Sequence, residues 1–194
     1  MRTMCRSVCV AVLFFWTLTA VAAERPKPEM KNGKPVYDVC SFIVYPGTLD
    51  KMYEQSDAIA DVRIVSSEGK AVAGLHPRTF YTATVLHAFK SGLKDGQTVV
   101  FSQAAGEVEL ADRILRSNDL HTLSVGERYI VFLRRHDPYG GYILTGEREG
   151  AFKVSDGRID PQGDGSVASE QRNLTKRQFD DEIERVARHA APKP

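Results

Sequence analysis

Alternation of apolar and polar side chains in the middle of this 194-residue chain constrains its fold more than any other feature. In residues 58–64 the apolar side chains occupy every second position, with Asp61 on the opposite face of the predicted strand. Residues 80–89 form a longer run of β-branched and aromatic side chains, and residues 98–101 and 128–133 form two more. The pattern predicts a mainly β fold in which residues 128–133, the most apolar of these runs, form the central strand.

Turn and loop signals divide these runs into separate strands. A sequence rich in proline and glycine at residues 137–141 predicts a hairpin connection after the central strand. Residues 66–77 are predicted to form a polar loop, and residues 106–120 a short helix or a loop with apolar anchors. Residues 151–154 and 157–159 would add a final short pair of strands.

Two helices are predicted, one of them short, at residues 48–55. Near the C-terminus, Thr175 and Gln178 have the spacing of a capping box, and Leu174 and Phe179 that of a hydrophobic staple. The apolar stripe of this second helix consists of Phe179, Ile183, Val186 and Ala190. We expect the stripe to pack on the sheet.

The N-terminal segment has the three parts of a secretory signal peptide. Arg2 and Arg6 supply the positive charge, and the apolar run of residues 8–18 is shorter than the ~20 residues that a membrane-spanning helix needs. Small residues follow the run, so we expect cleavage after Ala22 or Ala23. The sequence therefore predicts an exported protein, periplasmic or extracellular, and an uncleaved membrane anchor is the alternative.

Removal of this segment changes the charge of the chain. The full sequence has 26 Lys+Arg and 25 Asp+Glu. Because Arg2 and Arg6 leave with the signal peptide, 24 basic residues remain against 25 acidic ones, a net charge of −1. This balance gives no electrostatic basis for binding nucleic acid or an anionic membrane, so neither is predicted as a partner.

Cleavage would also remove Cys5 and Cys9 and leave Cys40 as the single cysteine. No internal disulfide framework is then possible, although an exported protein could form one. The apolar neighbours of Cys40 favour burial of its thiol, which is the most common environment of a free cysteine. Pairing with another chain and chemical reactivity are the alternatives.

Three segments resemble those of a known family. Ser-Asp-Ala-Ile at residues 56–59 leads into a strand, a long strand ends at Phe-Lys-Ser-Gly at 89–92, and Gly-Glu-Arg-Tyr-Ile-Val-Phe-Leu follows at 126–133. This succession resembles small exported β-barrel proteins of bacteria, whose barrel is similar to the netrin-like module of tissue inhibitors of metalloproteinases, an OB-type fold. The resemblance covers about residues 50–155. It implies a small antiparallel β-barrel with a C-terminal helix packed on it.

The inhibitory function of that family does not carry over. Its metalloproteinase inhibitors present a Cys-x-Cys sequence at the mature N-terminus to the zinc ion of the target, whereas the predicted N-terminus here has no cysteine. Cys40 is internal and is followed by Ser41 and Phe42. The resemblance therefore implies a fold and no functional residue. The predicted division is a signal peptide (1–23), a flexible polar spacer (24–35), a β-barrel domain (36–165), and a linker with the C-terminal helix (166–194).

The sequence contains no recognised pattern of catalytic or metal-binding residues. Its five histidines include no His-x-x-x-His or His-Glu-x-x-His pair, and no nucleophile motif is present. The acidic cluster of Glu107, Glu109 and Asp112 is interpreted as a solvated surface. Residues 160–165 match part of a calcium loop, but position 12 is Gln171, so a simple turn is favoured. No catalytic residue, metal site or cofactor is predicted.

The best candidates for ligand binding lie around the predicted hairpin: Arg134, His136, Tyr139 and Tyr142. OB-type barrels often bind oligonucleotides or sugars on one face, where basic residues alternate with exposed aromatic ones. An ordinary charged strand end is the alternative interpretation of these residues.

The leading functional hypothesis is a non-enzymatic exported domain, a binding or inhibitor-like module for an envelope or extracellular protein. It depends on the signal peptide, the barrel resemblance and the lack of catalytic motifs. An enzyme or metal-binding protein whose site is assembled from distant loops is the main alternative. A third hypothesis is a role in assembling a larger envelope complex.

Overall fold

The computed structural model describes residues 27–40, 45–73, 76–90, 92–136 and 141–190. The strands of this part are β1 (Met30–Lys31), β2 (Lys34–Val39), β3 (Ala58–Val72), β4 (His76–Lys90), β5 (Thr98–Gln103), β6 (Glu107–Glu109), β7 (Ile114–Ser117), β8 (Arg128–His136), β9 (Gly141–Leu144), β10 (Ala151–Ser155) and β11 (Arg158–Pro161). Its helices are α1 (Leu49–Gln55), α2 (Ser166–Gln171) and α3 (Lys176–Ala190), with a 3₁₀ turn at Glu147–Gly150. The predicted signal peptide and its cleavage positions, Ala22 and Ala23, lie outside the described residues.

Seven strands form a ring-like sheet, which confirms the mainly β prediction. The order is β11-β10-β8-β3-β4-β5-β9, and β9 also pairs with β8, so that β8, β3, β4, β5 and β9 close on themselves. Four of the five pairings in the closed part are antiparallel and β5–β9 is parallel. A closed ring with an odd number of strands must contain a parallel pair. The predicted antiparallel arrangement therefore holds for four of the five pairings of the ring and is wrong at β5–β9.

The alternating side chains predicted from residues 58–64 and 80–89 supply the interior of the ring. Tyr81 and Phe101, on neighbouring strands, have ring centroids 5.2 Å apart. The cluster around them contains Ala58, Ala60, Val62, Ile64, Ala83, Val85, Val99, Tyr129, Val131, Leu133 and Leu144. Burial of this apolar surface is the main stabilising contribution that the period-2 pattern encodes.

The outer face of the sheet forms a second core beneath α1 and α3. Phe179 is fully buried, and its ring centroid lies 4.7 Å from that of Phe152 in β10. The predicted capping box is present: the backbone nitrogen of Thr175 donates to Gln178 Oε1 at 2.9 Å, and that of Gln178 donates to Thr175 Oγ1 at 3.2 Å. Packing of the helix on the sheet is thus confirmed, except that Ala190 at the end of the stripe is exposed.

A smaller sheet has the order β1-β2-β7-β6 and corrects two predictions. Residues 30–35 form a hairpin and not a flexible spacer, because β2 continues into a parallel pairing with β7. Residues 106–120 contain β6 and β7, where a helix or loop was expected. Neither short strand has a strong local pattern, so their partners distant in the sequence determine their conformation.

Cys40 is exposed, which contradicts the prediction of burial. It follows Val39, the last residue of β2 to pair with β7. Because β2 belongs to the small outer sheet, Val36 is its one buried residue, and Val39 beside the cysteine is only partly buried.

The predicted loop at residues 66–77 is also wrong, because β3 and β4 pair as far as Val72 and His76. Residues 65–70 are exposed, so this end of the hairpin has no apolar alternation to indicate a strand. The predicted pair of strands near residues 151–159 is confirmed as β10 and β11. The predicted linker contains α2, with Val167 and Ala168 buried.

No helix among the described residues combines the length and apolar character needed to cross a membrane.

Candidate functional site

The residues predicted to bind a ligand do not share one face of the sheet. Tyr142 lies opposite Arg135 in the β8–β9 pair, and the Arg135 guanidinium carbon is 5.9 Å from the Tyr142 ring centroid. Arg134 and His136 alternate with Arg135 along β8, so they lie on the other face. Tyr139 is outside the described residues. The structure thus brings together Arg135 and Tyr142 and separates them from Arg134 and His136.

The acidic cluster lies at the surface, as the sequence indicated, and the structure shows that its carboxylates form ion pairs. Lys31 Nζ lies 2.6 Å from a carboxylate oxygen of Glu107, and Lys34 Nζ lies 2.7 Å from one of Glu109. The Lys34 ammonium lowers the pKa of Glu109 below its usual value, mainly through its hydrogen bond. These carboxylates connect β6 to the β1–β2 hairpin and have no arrangement that suggests catalysis.

A different group of residues forms the candidate site. A cleft of about 330 Å³ opens between the loop that joins β7 to β8 and the 3₁₀ turn at Glu147–Gly150. Its lining consists of Tyr45, Asn118, Asp119, Leu120, His121 and Arg148. The volume falls at the lower end of the range for small-molecule sites, and the lining combines apolar, acidic and basic groups.

Asp119 is the buried acidic group of the cleft, with 8% of its surface exposed. Its Oδ1 accepts a hydrogen bond from the backbone nitrogen of His121 at 3.0 Å and lies 3.2 Å from His121 Nδ1. Its Oδ2 is 3.8 Å from Arg148 Nε and has no hydrogen bond within the described ranges. The His121 side chain itself is 79% exposed, so Asp119 holds one ring nitrogen while the imidazole faces solvent.

Arg148 is held from the opposite side of the cleft by the segment before α2. It forms an ion pair with Asp164, whose backbone nitrogen donates to Glu149 Oε1 at 2.8 Å. The backbone nitrogen of Gly165 donates to the same oxygen at 2.6 Å. A Cβ atom at Gly163 would lie 2.2 Å from Glu149 Oε1, so this close approach requires glycine.

Side chains from the ring interior hold the loop that carries Asp119 and His121. The Tyr81 hydroxyl accepts from the Leu123 backbone nitrogen at 3.0 Å and donates to Gln103 Oε1 at 3.2 Å. Gln103 Nε2 in turn donates to the His121 carbonyl at 3.1 Å. Burial raises the pKa of Tyr81 to about 12, so this hydroxyl keeps its proton at neutral pH. The site loop is therefore fixed to the sheet by buried hydrogen bonds.

Sequence reasoning missed this site because the Asp119-x-His121 spacing belongs to no motif. The cleft depends on Tyr45 and Arg148, which precede and follow the loop by many residues. Within the described part of the chain, no three His, Cys, Asp or Glu side chains form a group that could hold a metal ion. No protein-family model and no curated protein matches the chain.

Proposed function

We propose that this chain is an exported, non-enzymatic module that binds an envelope or extracellular protein through the cleft. The observation that carries the proposal is the exposure of two large apolar side chains at a cleft whose polar groups are already fixed. Tyr45 is 54% exposed and Leu120 is 56% exposed. Arg148 and the imidazole of His121 lie beside them.

Tyrosine and arginine are enriched among the residues that dominate the energy of protein interfaces. An anchored loop loses little conformational freedom on binding, so more of the contact energy remains for affinity. Leu120 lies between Asp119, whose carboxylate accepts from the His121 backbone nitrogen, and His121, whose carbonyl accepts from Gln103 of the buried hydrogen-bond network. We infer that Leu120 enters a pocket on the partner and that His121 and Arg148 form polar contacts around it.

The proposed scaffold is an OB-type barrel related to the netrin-like module. Its support is the strand connectivity: β3, β4 and β5 form a meander, and β8 and β9 then close the ring, with β9 parallel to β5. OB-type barrels are five-stranded and have Greek-key connections. The helix packed outside the ring and the three sequence segments described above agree with the netrin-like assignment.

Affinity capture from native envelope proteins, with the purified protein as bait, tests the binding function. Leu120→Asp should abolish capture of the specific partner, because it places a charge at the centre of the proposed contact. Val125→Asp is the matched control, since Val125 is equally exposed, in the next turn, and does not line the cleft. Capture of the same proteins by wild type and the Leu120 variant would refute the proposal.

An enzyme with a site built from loops is the second candidate, and the Asp119–His121 pair favours it. A carboxylate that binds one nitrogen of an exposed imidazole is the arrangement that orients a general base. Hydrolysis of p-nitrophenyl acetate by wild type and by His121→Gln would separate the two functions. A rate that follows a single ionisation and falls at least about 100-fold in the variant would support the enzyme. Equal rates would leave binding as the function.

A further inference from the structure

A second concave surface lies at the junction of α1, α2 and α3, and none of its lining residues belongs to the cleft. This groove has a volume of about 570 Å³. Leu49 and Leu174 provide its apolar lining, and both also contact the core beneath the helices. The groove is large enough for the side chain and neighbouring backbone of a peptide.

The groove is strongly acidic. Four carboxylates line it, those of Asp50, Glu170, Asp181 and Glu182, and one cation, Arg185. Arg185 Nε lies 2.8 Å from Glu182, and its Nη2 lies 4.0 Å from Asp50. The lining therefore has a formal charge of −3, in a protein whose total charge is close to zero.

Two of these carboxylates have no cation of the described residues within ion-pair distance. The other acidic residues of α3 each pair with a base on the same helix: Asp180 with Lys176, Glu182 with Arg185, and Glu184 with Arg188. Asp181, which faces the groove, forms no ion pair within the described ranges, and neither does Glu170 across from it on α2. The unbalanced charge of the groove thus belongs to these two carboxylates.

Gln171 is a second and independent indication of a ligand. Its side chain lines the groove although only 7% of the residue is exposed. Its Oε1 accepts no hydrogen bond from any described residue. A buried amide oxygen without a donor is unfavourable, and nearly all such groups in folded proteins have a partner.

We propose that the groove binds the guanidinium group of an arginine in a partner protein, as a contact separate from the cleft. Guanidinium has five N–H donors in a planar arrangement, enough to pair with the Asp181 and Glu170 carboxylates. Gln171 Oε1 is closed off from solvent as it stands, so the Gln171 side chain must turn toward the groove to accept from a remaining donor. The aliphatic part of the arginine would lie on Leu49 and Leu174. The proposed occupant is not a metal ion, since no three His, Cys, Asp or Glu side chains of the described residues form a group that could hold one.

Three short peptides serve as probes: acetyl-Gly-Arg-Gly-amide and its lysine and citrulline analogues. Titration of the isotope-labelled protein, followed by NMR, should show saturable shifts of the Gln171 side-chain amide with the arginine peptide. We expect affinity at least about fivefold lower for the lysine peptide, because ammonium cannot make the same set of planar contacts. The citrulline peptide keeps the shape of the arginine side chain but lacks its positive charge, so it should not bind. Equal affinity for any two of the peptides would overturn the proposal.

Variants then locate the contact. The double substitution Glu170→Gln and Asp181→Asn should lower affinity for the arginine peptide at least about fivefold, since it removes both unpaired charges. Glu184→Gln is the matched control, because Glu184 is on the same helix outside the groove and should leave affinity unchanged. Unchanged affinity in the double variant, or an unaffected Gln171 resonance, would refute the site. Normal peptide binding by Leu120→Asp would show that the groove acts independently of the cleft.

Discussion

Tyr81 connects the interior of the ring to the proposed binding loop through a single hydroxyl. Its ring packs against Phe101, while its oxygen contacts the backbone of Leu123 and the side chain of Gln103. Because the aromatic ring is apolar and the hydroxyl forms two hydrogen bonds, a buried tyrosine satisfies both requirements at this position. Phenylalanine would fill the space and leave the loop nitrogen without its acceptor.

The raised pKa of Tyr81 predicts a loss of stability in alkaline solution. Its ordinary pKa of 10.0 rises to about 12 in the folded protein, because burial disfavours the phenolate. The unfolded chain therefore releases this proton first, and the contribution of the neutral hydroxyl is complete below about pH 10 and lost as the pH rises toward about 12. The two-unit difference corresponds to about 2–3 kcal/mol of unfolding free energy.

Chemical denaturation of wild type and Tyr81→Phe from pH 8 to pH 12 measures this contribution. We expect wild type to be the more stable protein at the lower pH values and its advantage to shrink by about 2–3 kcal/mol above pH 10. Subtracting the unfolding free energy of the variant from that of wild type removes the contribution of the other tyrosines and of the lysines. A difference between the two proteins that stays constant over this range would contradict a buried neutral hydroxyl.

At the scale of secondary structure, α3 most clearly joins two parts of the fold: the outer core and the buried Asp61 carboxylate of β3. Phe179 lies among the aromatic rings of the outer core. Lys176 Nζ lies 3.2 Å from Asp61 Oδ2, and Arg128 binds both oxygens of that carboxylate at 2.8 and 2.6 Å. Asp61 is fully buried, on the face of β3 opposite the apolar side chains of the ring interior. The carboxylate is tolerated there because two cations and their hydrogen bonds balance its charge.

Phe179→Ala tests the packing of α3. The substitution removes a fully buried aromatic side chain, so we expect the unfolding free energy to fall by about 3 kcal/mol or more. Arg188→Ala, at an exposed position of the same helix, is the control and should change stability by less than about 0.5 kcal/mol. A melting temperature that is the same for Phe179→Ala and wild type would show that the helix does not depend on this contact.

The elements that could be predicted are those whose conformation follows from local sequence. Alternation identified the ring strands, and Thr175 with Gln178 identified the start of α3. The far end of the β3–β4 hairpin could not be predicted, because exposed residues such as Glu68 and Lys70 carry no burial pattern. There the pairing between the strands, which is non-local, decides the conformation.

The candidate site could be predicted least, for a related reason. Asp119 and His121 are near each other in sequence, but Arg148 comes from a turn beyond β9, and its partner Asp164 comes from beyond β11. No sequence spacing indicates that these residues lie close together, because the closure of the ring brings their loops side by side. The residues of the predicted hairpin surface are close in sequence, but Arg134 and Tyr142 lie on opposite faces of the sheet.

At the scale of the whole molecule, the proposed export gives a direct prediction. Protein recovered from the envelope or the medium should begin at Ala23 or Glu24, as measured by mass spectrometry of the intact chain. A chain that lacks residues 2–22 is the control and should remain in the cytoplasm. Recovery of most molecules with Met1 still attached would exclude cleavage and favour the alternative of an anchor.

Ring closure has a consequence for a chain that crosses a membrane from its N-terminus. In such a chain the meander of β3, β4 and β5 would emerge from the membrane first, with β3 and β5 as its two outer strands. Their remaining partners, β8 and β9, are completed only at Leu144, more than forty residues after β5 ends at Gln103. Throughout that interval both outer strands expose unpaired backbone groups, a state prone to pairing with other chains. If the chain is exported as proposed, half-translocated molecules are therefore the ones that most need a chaperone at the exit from the membrane.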